Sequence, residues 1–256
     1  MRYFPQLETG AMGQYPLRRV RRMRTVSNEM PDGRGVKLPD AAAATTEWQL
    51  KWVGLTDGEM ETLARFFDDV AGRLHTFTFL DPGANLLCWS EDLERGVWEK
   101  GPLVTVTGGL ADPFGGTRAW RVANGSLIQT LNVPGWFYYC VSMYARSDGG
   151  GQVTLVRGGE TAARMVTRQW RRLTFAAQSV GAEESVRFGL EVASGAAVEV
   201  FGLQVEPQIA ASGYKKTAAR GGVYPNARLA EDRLYCTTAG PGRHECGLDI
   251  IHGERF

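Results

Sequence analysis

The chain has 256 residues, 43% hydrophobic and 22% charged, which is enough apolar material for one large folded domain or two small ones. Lys plus Arg is 29 and Asp plus Glu is 28, so the net charge of +1 provides no global field for a nucleic acid or an anionic membrane, and partners must be recognised locally. No stretch approaches the roughly 18 apolar residues of a membrane span, Met1 to Gly10 holds no apolar leader, and 4 cysteines without a C-x-x-C pair are too few for a disulfide framework. Glycine is in excess, 32 residues, and 7 of the aromatics are Trp, a composition that points to β-structure with many turns.

In chain order, residues 17–26 and 36–38 are β-prone, with Asp32-Gly33 as a turn signal between them. Trp48, Leu50 and Trp52 alternate with Gln49 and Lys51, as in a half-buried strand. Thr56 followed by Glu59 is a capping box, with Leu55 and Met60 placed as its hydrophobic staple. Met60, Leu63, Phe67 and Val70 then form one stripe, and Gly72 stands where a glycine ends a helix, so a helix is expected near 57–71. Its other face is acidic: Asp57, Glu61, Asp68 and Asp69. A strand is expected over 74–80, until Asp81-Pro82-Gly83 breaks it.

Beyond Asn85 no helical stripe is evident. Strands are expected at 104–107, 118–122, 126–131, 137–145, 152–156, 170–175, 186–191 and 198–205, a pattern that fits a jelly-roll sandwich. Two further runs, 229–238 and 244–252, flank Ala239-Gly240-Pro241-Gly242 and read as a hairpin. A lone hairpin is marginal in water. The economical organisation is therefore a discontinuous domain, 1–83 plus 218–256, with the jelly roll of 84–217 inserted at the Asp81–Asn85 turn. The fold class is mainly β with one α-helix: a split sheet or barrel with its helix, carrying a β-sandwich.

The run Glu47-Trp48-Gln49-Leu50, Leu55-Thr56-Asp57, Glu59, Leu63, Phe66-Phe67, Gly72 and Phe77-Thr78-Phe79-Leu80-Asp81-Pro82 resembles bacteriophage minor tail proteins related to the distal tail protein, and 227–234 looks like the strand that follows in that family. The segment Asn85 to Asp92 with Trp98, then 141–146, Trp170-Arg171-Arg172-Leu173, 201–206 and 211–217, is similar to the carbohydrate-binding-module-like jelly rolls of phage tail and fibre proteins. Cys88 and Trp89 depart from that pattern, which has small or polar residues there. The resemblance implies a structural protein of the virion, made in the host cytoplasm and placed at the tail tip or baseplate. It implies a ring of copies of this chain, hexameric in that family, contacts with the tail tube and hub proteins, and a jelly roll directed at host-surface glycan. The alternatives are a free glycan-binding module or adhesin, and a glycan-degrading tail enzyme.

Three groups of residues bear on these readings. Arg18, Arg19, Arg21, Arg22 and Arg24 fall on both faces of any strand, so neither face is an ordinary core face. The run is either a charged edge that resists aggregation or a subunit interface meeting the acidic helix face of a neighbour. Contact with DNA in a tail lumen is the weaker reading, because a cluster that neutralised phosphates would retain the genome.

For sugar, which presents an apolar face and a hydroxyl rim, Trp120, Trp136 and Tyr138 are the candidate platform, core packing being the alternative for each. Trp98 and Trp170 are assigned to the core.

Cys236, His244, Cys246 and His252 match no standard metal spacing. Cys236 and Cys246 lie symmetrically about the hairpin turn and read as two free buried thiols, a cross-strand disulfide being the alternative. No cofactor and no metal are expected. No nucleophile–base motif supports catalysis.

Overall fold

The computed structural model describes residues 1–253. In chain order its elements are β1 (Arg18–Glu29), β2 (Gly35–Leu55), α1 (Asp57–Asp69), β3 (Phe77–Leu80), β4 (Glu99–Lys100) and β5 (Thr105–Leu110). There follow β6 (Ala119–Leu131), β7 (Tyr139–Arg146), β8 (Gly151–Arg157), β9 (Glu160–Val166) and β10 (Arg171–Ala177). The last are β11 (Val186–Glu206), β12 (Val223–Leu229), β13 (Tyr235–Gly240) and β14 (Arg243–Gly253). The chain divides into two compact units, one of Met1–Glu8, Met12–Phe79 and the chain from Tyr224 on, the other of Thr9–Ala11 and Leu80–Val223. The sequence reading puts the breaks at 83/84 and 217/218.

Unit 1 is an open sheet in the order β1-β2-β14-β12-β3, with β13 also on β14, and it does not close into a barrel. Its register places Trp48 opposite Ile250, Leu50 opposite Leu248 and Trp52 opposite Cys246, so the alternating residues of β2 share one buried face with those of β14. Phe4, Phe66, Phe77 and Phe79 complete this core, with Phe4 edge-on to Phe66 at 5.2 Å and Trp48 edge-on to Phe79 at 5.0 Å. The capping box starts α1: the Glu59 amide donates to Thr56 Oγ1, and the Thr56 amide to Glu59 Oε2, each at 3.2 Å. Such a cap contributes about 1 kcal/mol.

The helix ends two residues before the expected 71, because Ala71 already has φ of 49° and Gly72 follows at 59°. The expected strand over 74–80 is shortened at its start. Leu74 and His75 donate to Ala71 and Val70 carbonyls in a turn, so pairing begins at Phe77. The run expected over 229–238 is likewise two strands. Asp232 leaves the sheet and accepts from the Arg73 amide at 2.8 Å, separating β12 from β13.

Unit 2 is an eight-stranded sheet folded into two facing layers. One half of β11 pairs with β8 and with the second half of β6; the other half pairs with β7 and with the first half of β6. Both long strands bend together where their register shifts between Val192 and Ala197. There Asn124 and Gly195 take positive φ, 60° and 78°, and Asn124 Oδ1 accepts from the Gly195 amide at 2.8 Å. Leu127, Leu155, Leu190, Val141, Met143 and Val200 are buried between the layers, and Tyr139 meets Phe188 across them at 5.1 Å. The strands expected at 118–122 and 126–131 are thus one strand, as are those at 186–191 and 198–205; the intervening Asn and Gly residues make bulges, not turns.

The segments at the two ends of unit 2 are hydrogen-bonded to each other: the Asp81 amide donates to Gly222 O and the Gly222 amide to Asn85 O, both at 2.8 Å. Gly221 is required there, since a Cβ would stand 2.0 Å from Leu86 O.

Candidate functional site

Strand alternation decides which surface of unit 2 is available to a ligand. Tyr139, Val141, Met143 and Ala145 of β7 face the interior, which leaves Tyr144 and Arg146 accessible on the outer face, with Ser142 fully covered there. The register sets Arg172 of β10 and Phe201 of β11 on either side of Tyr144. Trp170 precedes Arg172 by two residues and lies on the same side, its ring under the Arg146 guanidinium at 4.9 Å.

Phe114 covers this row. Its ring is edge-on to Tyr144 at 5.4 Å and to Phe201 at 5.8 Å, and the residue is 61% exposed. An exposed ring holds one position only if its loop is tied down, and buried Asp112 does this. Its carboxylate accepts from the amides of Phe114 at 2.8 Å and Gly116 at 3.1 Å, and from Arg118 Nε at 3.0 Å. Burial alone would raise the Asp112 pKa; these donors outweigh it and hold the carboxyl below its ordinary value. Arg118 in turn lies over Phe201 at 5.3 Å and pairs with Glu91 at 3.2 Å.

The polar rim is supplied by the same strands. Arg172 lies 5.7 Å over Tyr144 and donates to Ser142 Oγ at 3.0 Å, and Arg146 pairs with Glu199 at 2.6 Å. Aromatic faces beside fixed guanidinium groups match the two surfaces of a pyranose ring. The rest of this face is closed. Gln204 and Glu206 are fully buried, and the Glu206 carboxylate accepts from Gln204 and Ser212 N at 2.8 and 2.9 Å and from Lys215 Nζ at 3.1 Å. That charge is neutralised inside the fold and serves structure.

The residues singled out in the sequence are not brought together here. Trp120 pairs with Val200, an inward position; its ring lies against Gly108, and its indole N–H donates to Glu91 O at 2.9 Å. Tyr138 is half-buried, with its ring beside Gly10. Trp136 is 38% exposed on the turn before β7, where its backbone is held on every side. Buried Arg157 donates through Nη2 to Gly135 O and, at 2.6 Å, to Phe137 O, and Gln178 donates to Trp136 O at 2.9 Å. Trp170, assigned to the core from sequence, is on the outer face and half-buried. Trp98 is buried as expected, at 2% exposure. Phe114, Tyr144 and Arg172 were not identifiable from sequence: a Phe in a Pro-Phe-Gly-Gly loop carries no signal until the register shows what lies beneath it.

In unit 1, three of the five arginines have partners: Arg22 pairs with Glu47 at 2.9 Å, Arg24 with Asp40 at 3.6 Å, and Arg19 donates to Tyr224 OH at 2.8 Å. Arg18 and Arg21 are exposed on edge strand β1 and make no ion pair among the described residues. On α1, Asp57 meets His244 at 2.7 Å and Glu61 meets Arg65 at 2.6 Å, while Asp68 and Asp69 are exposed without an ion pair among the described residues. His244 is thus committed to Asp57, and His252 stacks edge-on to Tyr224 at 5.3 Å. Among the described residues no helix is long and apolar enough to cross a membrane.

No family model matches the chain, and no curated protein matches it. Solved structures similar to it include the CBM22-1 xylan-binding domain of Paenibacillus barcinonensis Xyn10C, 18% identical, covering 50% of this chain and 96% of that one with a TM-score of 0.39. TmCBM61 in complex with β-1,4-galactotriose is 16% identical and covers 47% and 97%, with a TM-score of 0.35. The enzymatically active domain of bacteriophage CBA120 tailspike protein 4 is 11% identical and covers 50% of this chain but 22% of its own, with a TM-score of 0.37.

Proposed function

We propose that unit 2 binds a glycan across Trp170, Tyr144 and Phe114, and that unit 1 carries it within a larger assembly, at the tail tip of a phage-type particle. The observation that supports glycan binding is Phe114: a ring 61% exposed, packed on Tyr144 and held by a buried carboxylate, is an arrangement that a purely structural loop does not need. The site is one of binding and not of catalysis. Affinity electrophoresis of the full chain in xylan, β-1,4-galactan and bacterial surface polysaccharides tests this. Retardation in at least one, lost in Tyr144→Ala at unchanged thermal midpoint, is expected; mobility unaffected by every polysaccharide overturns it.

The assembly reading is supported by charges of unit 1 that make no ion pair among the described residues: Arg18 and Arg21 on a sheet edge and Asp68 and Asp69 on the helix are complementary sets. Contacts of this heterologous kind close rings when the rotation between copies allows it; six copies are expected, with tail tube and hub proteins as neighbours.

A further inference from the structure

The register of the final hairpin sets Cys236 directly opposite Cys246 and brings their Sγ atoms to 3.8 Å. The sequence reading has both thiols buried, but the two environments differ: Cys236 is exposed and Cys246 is buried. Cys236 belongs to β13, which is exposed along nearly its whole length and, among the described residues, pairs only with β14. A strand held by one ladder and little apolar burial is among the first parts of a fold to open.

We propose that Cys236 and Cys246 are a thiol–disulfide pair, oxidised by a small disulfide such as oxidised glutathione, whose closure pins edge strand β13 to β14. Directly opposed residues in an antiparallel ladder have Cα atoms about 4.5–5.5 Å apart, inside the range a disulfide spans. Bringing the sulfurs to about 2.0 Å needs side-chain rotation and no change of register.

The two environments set the order of the steps. Burial, and then Cys236 beside it, raises the Cys246 pKa and hides its sulfur from solvent, so the exposed Cys236 reacts first. The Cys236 thiolate, its proton lost to water, attacks one sulfur of glutathione disulfide; that S–S bond breaks, and one glutathione leaves as thiolate and takes up a proton. Cys246 then gives its proton to water and attacks Cys236 Sγ, and the second glutathione leaves with the electron pair of the mixed disulfide. Two protein thiols are oxidised to one disulfide, and one glutathione disulfide is reduced to two thiols.

Cys88 and Cys140 are internal controls, because neither has a cysteine partner among the described residues, and burial pushes the Cys140 thiol up to about 11. The test is peptide mapping by mass spectrometry of the full chain equilibrated in glutathione redox buffers, with hydrogen exchange over 235–240. A 236–246 cross-link, reversed by dithiothreitol and accompanied by slower exchange in β13, is expected. Cys246→Ser should accumulate a glutathione adduct on Cys236, and Cys236→Ser should leave Cys246 unmodified. The proposal is overturned if wild-type protein forms no intramolecular 236–246 bond in buffers where Cys246→Ser is glutathionylated, or if Cys236→Ser is modified at Cys246 as readily as Cys246→Ser is at Cys236. It is equally overturned if neither cysteine reacts in any variant. Because Cys236 is exposed, Cys236→Ala provides a folded control in case the buried serine perturbs the hairpin.

Discussion

Arg157 holds the backbone on both sides of Trp136: the guanidinium donates to the carbonyls of Gly135 and Phe137, and is itself stacked on Tyr139 at 5.3 Å. The residue is fully buried, its Nε finds no partner among the described residues, and burial lowers its pKa. Many buried charges can be exchanged for hydrophobes at little cost. That does not apply here, because the acceptors are backbone carbonyls and cannot be removed with the arginine. Arg157→Met should therefore destabilise unit 2 by about 3 kcal/mol or more, since bonds from a charged donor contribute roughly 1.5–3 kcal/mol each. Urea denaturation reads this; an unchanged midpoint would show that the turn is held without Arg157, by Gln178 and the backbone bonds of Gly135 to Glu183 and Ser179.

Phe114→Ala and Tyr144→Ala separate binding from folding. Phe114 is 61% exposed, so its removal should cost under about 1 kcal/mol of stability while weakening glycan affinity about tenfold or more, equivalent to roughly 1.4 kcal/mol. Calorimetric titration with the polysaccharide that retards the wild type measures it. Equal affinity in the Phe114 variant would remove the loop from the site.

Trp120→Ala should do the opposite. Its ring closes over Gly108 and its N–H is bonded to Glu91 O, so a loss of about 2–4 kcal/mol of stability is expected with affinity per folded molecule unchanged. Loss of binding at full stability would return Trp120 to the binding surface.

The Asp112 carboxyl lies below its ordinary value in the folded protein, so it contributes stability above that value, and the contribution is lost as pH falls through the folded pKa. Thermal midpoints of unit 2 should fall between about pH 5 and pH 2, and Asp112→Asn should lose part of that dependence while starting about 1–3 kcal/mol less stable at neutral pH. Parallel pH profiles for the two proteins would contradict the role given to Asp112.

Charge reversal tests assembly through Arg18 and Arg21. Arg22 is unsuitable, because it pairs with Glu47 and its reversal would set two carboxylates against each other within one copy. Wild type should form rings in electron micrographs and a high-mass species in light scattering, and the Arg18→Glu, Arg21→Glu double variant should remain a folded monomer. Wild-type rings undiminished in the variant would place the interface elsewhere.

The local devices were legible from sequence. Thr56 and Glu59 announce the helix start, and the alternation of Trp48, Leu50 and Trp52 announces a buried strand face; both are short-range patterns with short-range causes. Asn124-Gly125 and Ser194-Gly195 misled, since the same residues that make turns make paired bulges when two long strands bend together. The aromatic row was hidden for a related reason. Phe114, Tyr144 and Phe201 lie far apart in sequence and meet only through register and a loop closed by Asp112, whereas the tryptophans, conspicuous by composition, are largely used for closure and turn anchoring.

The hydrogen bonds between Asp81, Asn85 and Gly222 also determine how heavily the inserted residues weigh on unit 1. A flexible loop taxes its host with the entropy of bringing its ends together, growing by about 0.6 kcal/mol for each doubling of length. Here the ends are already joined inside the insertion, so unit 1 has to close only a short gap whatever lies beyond the neck. Sandwiches of different size could therefore be exchanged at Leu80 and Val223 with little loop-closure cost to the sheet that receives them.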